Sequence, residues 1–430
     1  MSKKFVYFIS EGNKTMRSLL GGKGANLAEM YKIGLPVPQC FTVSTEACTQ
    51  YYENNKELGE DIKQEIFENL KKLEEVAGKK LGDVNDPLLL SVRSGAVFSM
   101  PGMMDTILNL GLNDEVAAGF AAKTGKPGYV YDSYRRFIQM FSDVVLGIEK
   151  EKFHAIVERV EKENGYRDTN EFTLQNQQDV IAEYKALVKA EKGLDFPQDV
   201  KEQLIMSINA VFESWNNPRA IYYRNMNQID HKLGTAVNVH RMVFGNLNDQ
   251  SGTGVAFTRN PTNGENKVYG EYLINAQGED IVAGIRTPEK IATLEQAMPE
   301  VFKQFQNICE TLEHNYHDMQ DVEFTIEDGH LFMLQTRNGK RSAAAAVKIA
   351  VDLVKEGLAT KEEALMSIDV NYIEKLMHPT FDTEALNAAT PIGQALAASP
   401  GAAAGIICLD AKTVVEKQSQ GEKCIFWRSF

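Results

Sequence analysis

Between residues 112 and 220 the chain carries almost only helical signal, while the blocks on either side mix short apolar strands with helices. A chain divided in this way reads as two α/β lobes with a helical insertion between them. Within the insertion, Tyr131, Tyr134, Phe137, Ile138, Phe141, Val144 and Val145 recur at spacings of three and four, the stripe of a core-facing helix. Residues 180–191 and 199–213 repeat the pattern.

The first block, 1–111, holds strand signals at Val6–Ile9, Phe41–Val43 and Leu88–Val92, and helical ones at Gly24–Tyr31 and Glu60–Ala77. Residues 234–337 turn to strands at Val237–Val239, Gly254–Arg259, Val268–Asn275, Val322–Ile326 and Leu331–Arg337, with helices expected near 288–297 and 298–314. Residues 341–376 read as helical again. After Ala388 small residues and a Pro400-Gly401 turn lead into a strand (Ile406–Leu409), a helix (Ala411–Gln418) and a strand start (Cys424–Trp427). The expected division is 1–111, 112–220, 221–340, 341–389 and 390–430, a multidomain α+β or α/β fold. With 430 residues the chain is long enough for about three domains.

Lysine and arginine number 46 against 59 acidic residues, so the net charge is −13. That lacks the basic field of a nucleic-acid binder. No apolar run is long enough to cross a membrane, and the start, Met1 to Tyr7 with Glu11 close behind, has no leader character. The five cysteines, Cys40, Cys48, Cys309, Cys408 and Cys424, are odd in number and form no C-x-x-C pair. They read as free thiols in a reducing compartment, with cytoplasm as the default.

The strongest local constellation runs from Met319 to Asn338. It is a hairpin in which Asp321, Glu323 and Thr325 share one strand face and Met333, Gln335 and Arg337 share another. A two-residue Asp328-Gly329 turn pairs Glu323 with Leu334 and splits the polar set; a three-residue Glu327–Gly329 loop pairs Asp321 with Gln335 and gathers it. Both turns are common, and the chemistry asks for the second. Two carboxylates and an amide oxygen are hard ligands suited to Mg²⁺ that also bridges phosphates. An arginine beside them can fork onto a phosphate or offset transferred charge. A hairpin with a solvated polar face is the plainer alternative.

Three further segments have a phosphate-binding character. Gly21-Gly22-Lys23-Gly24 precedes a helix, where free N–H groups and a lysine suit an anion. It is not a P-loop, because no Gly-Lys pair is followed by Ser or Thr. Ser91 to Ala96 brings Arg93 to a strand end before a loop of Gly, Ser and Met that includes Gly102. Ser251-Gly252-Thr253-Gly254 enters a strand with small residues able to wrap a terminal phosphate. A glycine-rich turn, an inter-lobe salt bridge and a simple hairpin approach are the respective structural alternatives. The seven histidines form no metal-ligand pattern, and His314 and His317 read as solvated neighbours on one helix.

Taken together, these segments resemble the N-terminal part of pyruvate phosphate dikinase, in register from about residue 5 to about residue 410. The telling stretches are Leu19–Met30, Ser99–Leu112, Tyr131–Val145, Ser251–Pro261, Gly270–Pro288 and the hairpin Met319–Gly339. Phosphoenolpyruvate synthase shares the nucleotide-binding fold, but the methionine loop and the Tyr131 helix favour the dikinase. The resemblance implies an ATP-grasp fold of two lobes (1–111 and 221–340) that clamp ATP and Mg²⁺, with the helical insertion, a helical linker and an incomplete swivelling phosphohistidine domain. In the family, ATP phosphorylates inorganic phosphate and a histidine, and the phosphohistidine is carried to a distant domain where pyruvate becomes phosphoenolpyruvate. Carried over, Lys23 and Arg93 contact the nucleotide phosphates and Asp321 positions the reacting groups. Glu323 and Gln335 hold Mg²⁺, and Arg337 stabilises the transferring phosphoryl group. Gly102 and the Thr253-Gly254 loop close over the terminal phosphate.

The departures are equally specific. Val97 and Phe98 replace a usual Arg-Ala or similar, which alters the loop lining. The swivelling domain opens near Pro391, with Ala398–Ala402 matching its first turn, and Phe426–Phe430 leave the family pattern. The Thr-Ser-His-Ala motif is absent. The expectation is an ATP-binding chain that needs a further chain bearing the phosphohistidine and pyruvate domains. The alternative is a non-catalytic nucleotide-binding module or a partner of a full-length dikinase. Residues 390–430 are expected to be poorly ordered or to expose an apolar strand edge.

Overall fold

The computed structural model describes residues 3–100, 102–283, 286–377, 382–390 and 403–427. They fall into two compact units, 1–247 with 332–336, and 248–331 with 337–430.

The first unit is built on an antiparallel sheet of five strands, β1 (Val6–Phe8), β2 (Cys40–Val43), β3 (Leu90–Ala96), β4 (Thr106–Leu110) and β5 (Thr235–Arg241), in the order β1-β2-β5-β3-β4. Helices α1 (Arg17–Lys32), α2 (Thr45–Glu53) and α3 (Glu60–Ala77) come from the first block, and α1 buries Leu20, Ala25, Leu27, Ala28 and Met30. Six helices then separate β4 from β5: α4 (Asp114–Thr124), α5 (Pro127–Val144), α6 (Lys150–Asn164), α7 (Leu174–Lys192), α8 (Val200–Ser214) and α9 (Pro218–Met226). Their ends are written in the sequence. Asn113, Thr173, Asp199 and Asn217 accept amide hydrogen bonds as N-caps, and Gly125, Gly165 and Gly193 end helices in the left-handed conformation. The expected stripe of α5 is core: Tyr134, Phe137, Ile138 and Phe141 are buried, and the rings of Phe137, Phe141 and Tyr134 meet Phe196 edge-on. The methionine loop is anchored in a separate cluster, where Met100, Met103 and Met104 pack with Trp215 and Ile229.

The second unit holds β6 (Gly252–Phe257), β7 (Tyr269–Ile274), α10 (Gly278–Ala283), β8 (Glu289–Lys290), α11 (Leu294–Ala297), α12 (Pro299–Tyr316), β9 (Gln320–Glu327) and β10 (His330–Asn338). The strand order is β10-β9-β6-β7-β8, with β6 antiparallel to both neighbours. Helix α12 buries Phe302, Phe305, Ile308 and Leu312, and Phe305 packs on Phe324 of β9. The middle of β10, Phe332–Thr336, groups with the first unit, where Asn26 Nδ2 donates to the Thr336 carbonyl at 2.8 Å and Met333 N to the Pro36 carbonyl at 2.7 Å. Helices α13 (Ala343–Lys355), α14 (Lys361–Ser367), α15 (Val370–Met377) and α16 (Thr383–Ala388) follow. Then β11 (Ile406–Cys408), α17 (Ala411–Ser419) and β12 (Cys424–Phe426) form a parallel pair with its connecting helix. Ile407, Leu409 and Phe426 stay 57%, 70% and 50% exposed. Pro391 and Ala398–Ala402 lie outside the described residues.

Several expected boundaries shift. The helix expected at Gly24–Tyr31 begins at Arg17, because Gly21 breaks it internally and hides its first turn from a periodicity argument. The strand expected to end at Val92 continues to Ala96, so Arg93 is mid-strand. The helix expected at 288–297 is a two-residue strand, a 3₁₀ turn and the one-turn α11. Residues 221–247 belong to the first unit rather than opening the second, since β5 pairs with β2 and β3.

Candidate functional site

In the first unit, the Gly-Gly-Lys-Gly segment is pressed onto the sheet. Gly21 is left-handed (φ +68°), and a Cβ there would stand 1.6 Å from the Gly95 carbonyl oxygen. A Cβ on Gly24 would stand 2.7 Å from Asn238 Oδ1 and 2.9 Å from Thr42 Oγ1. Only glycine lets the helix approach this closely. Helix α1 therefore restarts just after Gly21, with Lys23 in its first turn above β3 and β5.

Beneath it the sheet face is polar. Arg93 lies opposite Asn238, and Ser91 opposite His240. Thr42 Oγ1 donates to Asn238 Oδ1 at 2.8 Å. Asn238 and His240 are 0% and 2% exposed, and neither Asn238 Nδ2 nor His240 Nε2 has a hydrogen-bond partner among the described residues. Burial, then the charges of Arg93 and Lys23, hold the His240 imidazole well below its usual pKa, so it is neutral. Sequence reading picked out Lys23 and Arg93 but missed Asn238 and His240. The signal was available in Val237-Asn238-Val239-His240, where polar residues alternate with valines along a strand that is buried on both faces.

In the second unit, the hairpin closes on two residues. Asp328 (φ +50°) and Gly329 (φ +77°) are both left-handed, as the tightest hairpin turn demands. This is the turn that separates the polar set, not the three-residue loop that the chemistry asked for. Near the turn its register holds: Phe324 and Ile326 are buried together with Leu331 and Met333, while Phe332 and Leu334 are half-buried. At the open end it does not. Counting back from the turn puts Met319 opposite Asn338, yet Gly339 N donates to the Met319 carbonyl at 3.0 Å. One extra residue has entered β10, and the alternation of burial breaks at Gln335 and Thr336, which are both buried.

The slip moves Arg337 to the face of Asp321. Arg337 Nε donates to Asp321 Oδ2 at 2.7 Å. Burial raises the pKa of Asp321 above the ordinary carboxylate range, against the opposing pull of Arg337, and the charge of Glu323 adds to the rise. Glu323 is thus within electrostatic reach of Asp321, and Gln335 sits at the break itself. A carboxylate and an amide oxygen are hard donors that fit Mg²⁺. Among the described residues no group of three or more His, Cys, Asp and Glu side chains is gathered for a metal ion.

The remaining predicted positions are placed differently. Thr253 and Gly254 lie within β6 rather than in a loop. Thr253 Oγ1 donates to the Phe324 carbonyl at 3.1 Å, and a Cβ on Gly254 would meet the Phe324 ring at 2.2 Å, so both help to seat β9. Gly102 is in an exposed left-handed turn (φ +70°) with open space around it.

Comparison with known proteins shows the family. Residues 17–81, 55–304 and 293–358 match the family model described as pyruvate phosphate dikinase, AMP/ATP-binding domain. The chain belongs to this family. It is 55% identical over 426 residues to the pyruvate, phosphate dikinase of Clostridium symbiosum, covering 99% of this chain and 49% of that protein. It is 52% identical over 420 residues to the chloroplastic enzyme of Mesembryanthemum crystallinum (98% and 44% covered). It is 50% identical over 441 residues to that of Rhizobium meliloti (99% and 49% covered). The chain spans about half the length of the curated relatives it matches and corresponds to the N-terminal part of the dikinases. No helix among the described residues is long and apolar enough to cross a membrane.

Proposed function

We propose that this chain binds Mg·ATP and performs the nucleotide-dependent phosphoryl-transfer step of a pyruvate, phosphate dikinase. In the whole reaction, ATP, phosphate and pyruvate give AMP, diphosphate and phosphoenolpyruvate. The observation that carries the reading is the Arg337–Asp321 pair beside Glu323, formed only because β10 takes an extra residue.

Lys23 and Arg93 are assigned to the phosphates of the nucleotide, above the neutral floor of Asn238 and His240. Glu323 and Gln335 would hold Mg²⁺, which would supply positive charge against that of the phosphates. Asp321 orients Arg337, whose guanidinium has donors to spare for the transferring phosphoryl group. Gly102 is assigned to the terminal phosphate; Thr253 and Gly254 are not, because their backbone pairs with β7 on one side and β9 on the other. Inorganic phosphate is the second substrate, and a region or chain bearing the phosphohistidine and pyruvate domains is the partner. The five free cysteines fit a reducing compartment such as the cytoplasm.

The test is calorimetric titration of Mg·ATP into wild type and Glu323→Ala. Binding to wild type that weakens at least about tenfold in the variant, roughly 1.4 kcal/mol, supports the reading. A folded wild-type chain that binds no Mg·ATP overturns it in favour of a non-catalytic module.

A further inference from the structure

The slip that delivers Arg337 to Asp321 needs a restraint, because a hairpin closed by Asp328-Gly329 would otherwise keep its register to the end. The structure holds such a restraint just outside the pair. Asp318 lies between the end of α12 and the start of β9, two residues from each; Arg341 follows the exit of β10, two residues before α13. Arg341 Nη1 and Nη2 donate to Asp318 Oδ1 and Oδ2 at 2.6 and 2.7 Å, a bidentate fork. Arg341 Nε donates to the Gly339 carbonyl at 2.9 Å, and Met319 N donates to Asp318 Oδ1 at 2.8 Å. The two side chains thus grip the backbone of the very residues, Met319 and Gly339, whose hydrogen bond defines the shifted register. The side chains of Arg341 and Asp318 are 11% and 20% exposed.

The chain beyond the grip is held as well. Ser342 N donates to the Pro261 carbonyl at 2.9 Å, and Ser342 Oγ to the Thr262 carbonyl at 2.7 Å while capping α13. A Cβ on Gly339 would stand 2.3 Å from Met319 Cε, so the strand ends are packed together without slack.

We propose that Asp318 and Arg341 are positioning residues for phosphoryl transfer, a clamp that keeps β10 one residue out of the register set by its turn and so holds Arg337 on the Asp321 face. Neither touches the nucleotide; they act through Arg337. The inference rests on the nucleotide reading of the hairpin.

The test compares wild type, Arg341→Gln, Arg337→Ala and the double variant, with Asp318→Asn as a milder way to open the clamp should Arg341→Gln fail to fold. Two quantities are read: Mg·ATP affinity by calorimetry, and amide hydrogen exchange over residues 335–341. Opening the clamp is expected to speed exchange about tenfold and to weaken Mg·ATP about fivefold to tenfold. In the Arg337→Ala background it should weaken Mg·ATP no further, since the residue it positions is gone. Affinity that stays at the wild-type value when the clamp is opened overturns the proposal, as do losses that multiply in the double variant. If wild type binds no Mg·ATP, the nucleotide reading fails by itself. Exchange then decides the clamp, and unchanged exchange in Arg341→Gln and Asp318→Asn rejects it.

Discussion

Arg337 donates to Asp321 across the hairpin at 2.7 Å, although the two-residue turn that closes this hairpin would by itself leave the two side chains on opposite faces. The pair is therefore a product of the open end of the hairpin and not of its turn. Its electrostatics are tense: Asp321 is largely buried, its pKa is raised by that burial, and Glu323 pushes it further up while Arg337 pulls it down. A site that gathers like charges in a poorly solvated place gives up stability in exchange for affinity.

That exchange can be measured. Because the folded pKa of Asp321 is raised, the native state holds its proton more tightly than the unfolded chain does. The group therefore favours the fold below its ordinary titration range and works against it as pH rises through the raised value. Asp321→Asn is expected to raise the calorimetric midpoint at pH 8 by about 1–2 °C, and the gain should shrink towards zero by about pH 4. A midpoint that falls at pH 8 contradicts this account.

A second expectation concerns the interior of the second unit. Arg259 is 0% exposed and bonds Glu313 at 2.8 Å and Glu356 at 2.5 Å, with Thr258 Oγ1 also donating to Glu313 at 2.5 Å. Removing one member strands a buried charge, so Arg259→Met should cost about 3–5 kcal/mol in urea unfolding. Changing Glu313→Leu at the same time should recover a large part of that loss. Equal losses from the single and double variants would show that packing, not the stranded carboxylate, sets the cost.

Gly21 and Gly128 should respond oppositely to alanine. At Gly21 the new Cβ meets the Gly95 carbonyl at a left-handed residue, and a loss of about 2–4 kcal/mol is expected, together with weaker Mg·ATP binding as Lys23 is displaced. At Gly128, exposed in the first turn of α5 with open space around it, a gain of up to about 1 kcal/mol is expected. Thermal denaturation of the two variants side by side checks both signs.

The thiols give a fourth test. Burial pushes Cys40 and Cys48 up to about 12 and raises Cys309 as well, so almost no thiolate is present near neutrality. Cys424 is half-buried near the surface. Ellman's reagent at pH 8 is expected to label Cys424 first in the native protein, and Cys40, Cys48 and Cys309 only after unfolding. Rapid native labelling of any of the three would mean that its surroundings open.

Much of the fold is legible in the sequence because its signals are local. The helical block, the α5 stripe, the caps and the closing β-α-β pattern each depend on neighbours within a few residues. The Gly-Gly-Lys-Gly segment and the hairpin were recognisable for the same reason. The sheet membership of β5 was not, because its partners β2 and β3 lie more than a hundred residues earlier and six helices intervene. The polar floor of Asn238 and His240 shared that fate: its meaning rests on what α1 presses against it.

The sequence by itself offered the residues proposed for phosphate chemistry and placed the bend of the hairpin within Glu327–Gly329, with two-residue and three-residue turns both open to it. Tertiary structure alone decided that Arg337 reaches Asp321. A one-residue slip moves a side chain to the other face of a strand, and whether the slip occurs depends on contacts at the far end of the hairpin, where Gly339 bonds Met319 and Arg341 grips Asp318.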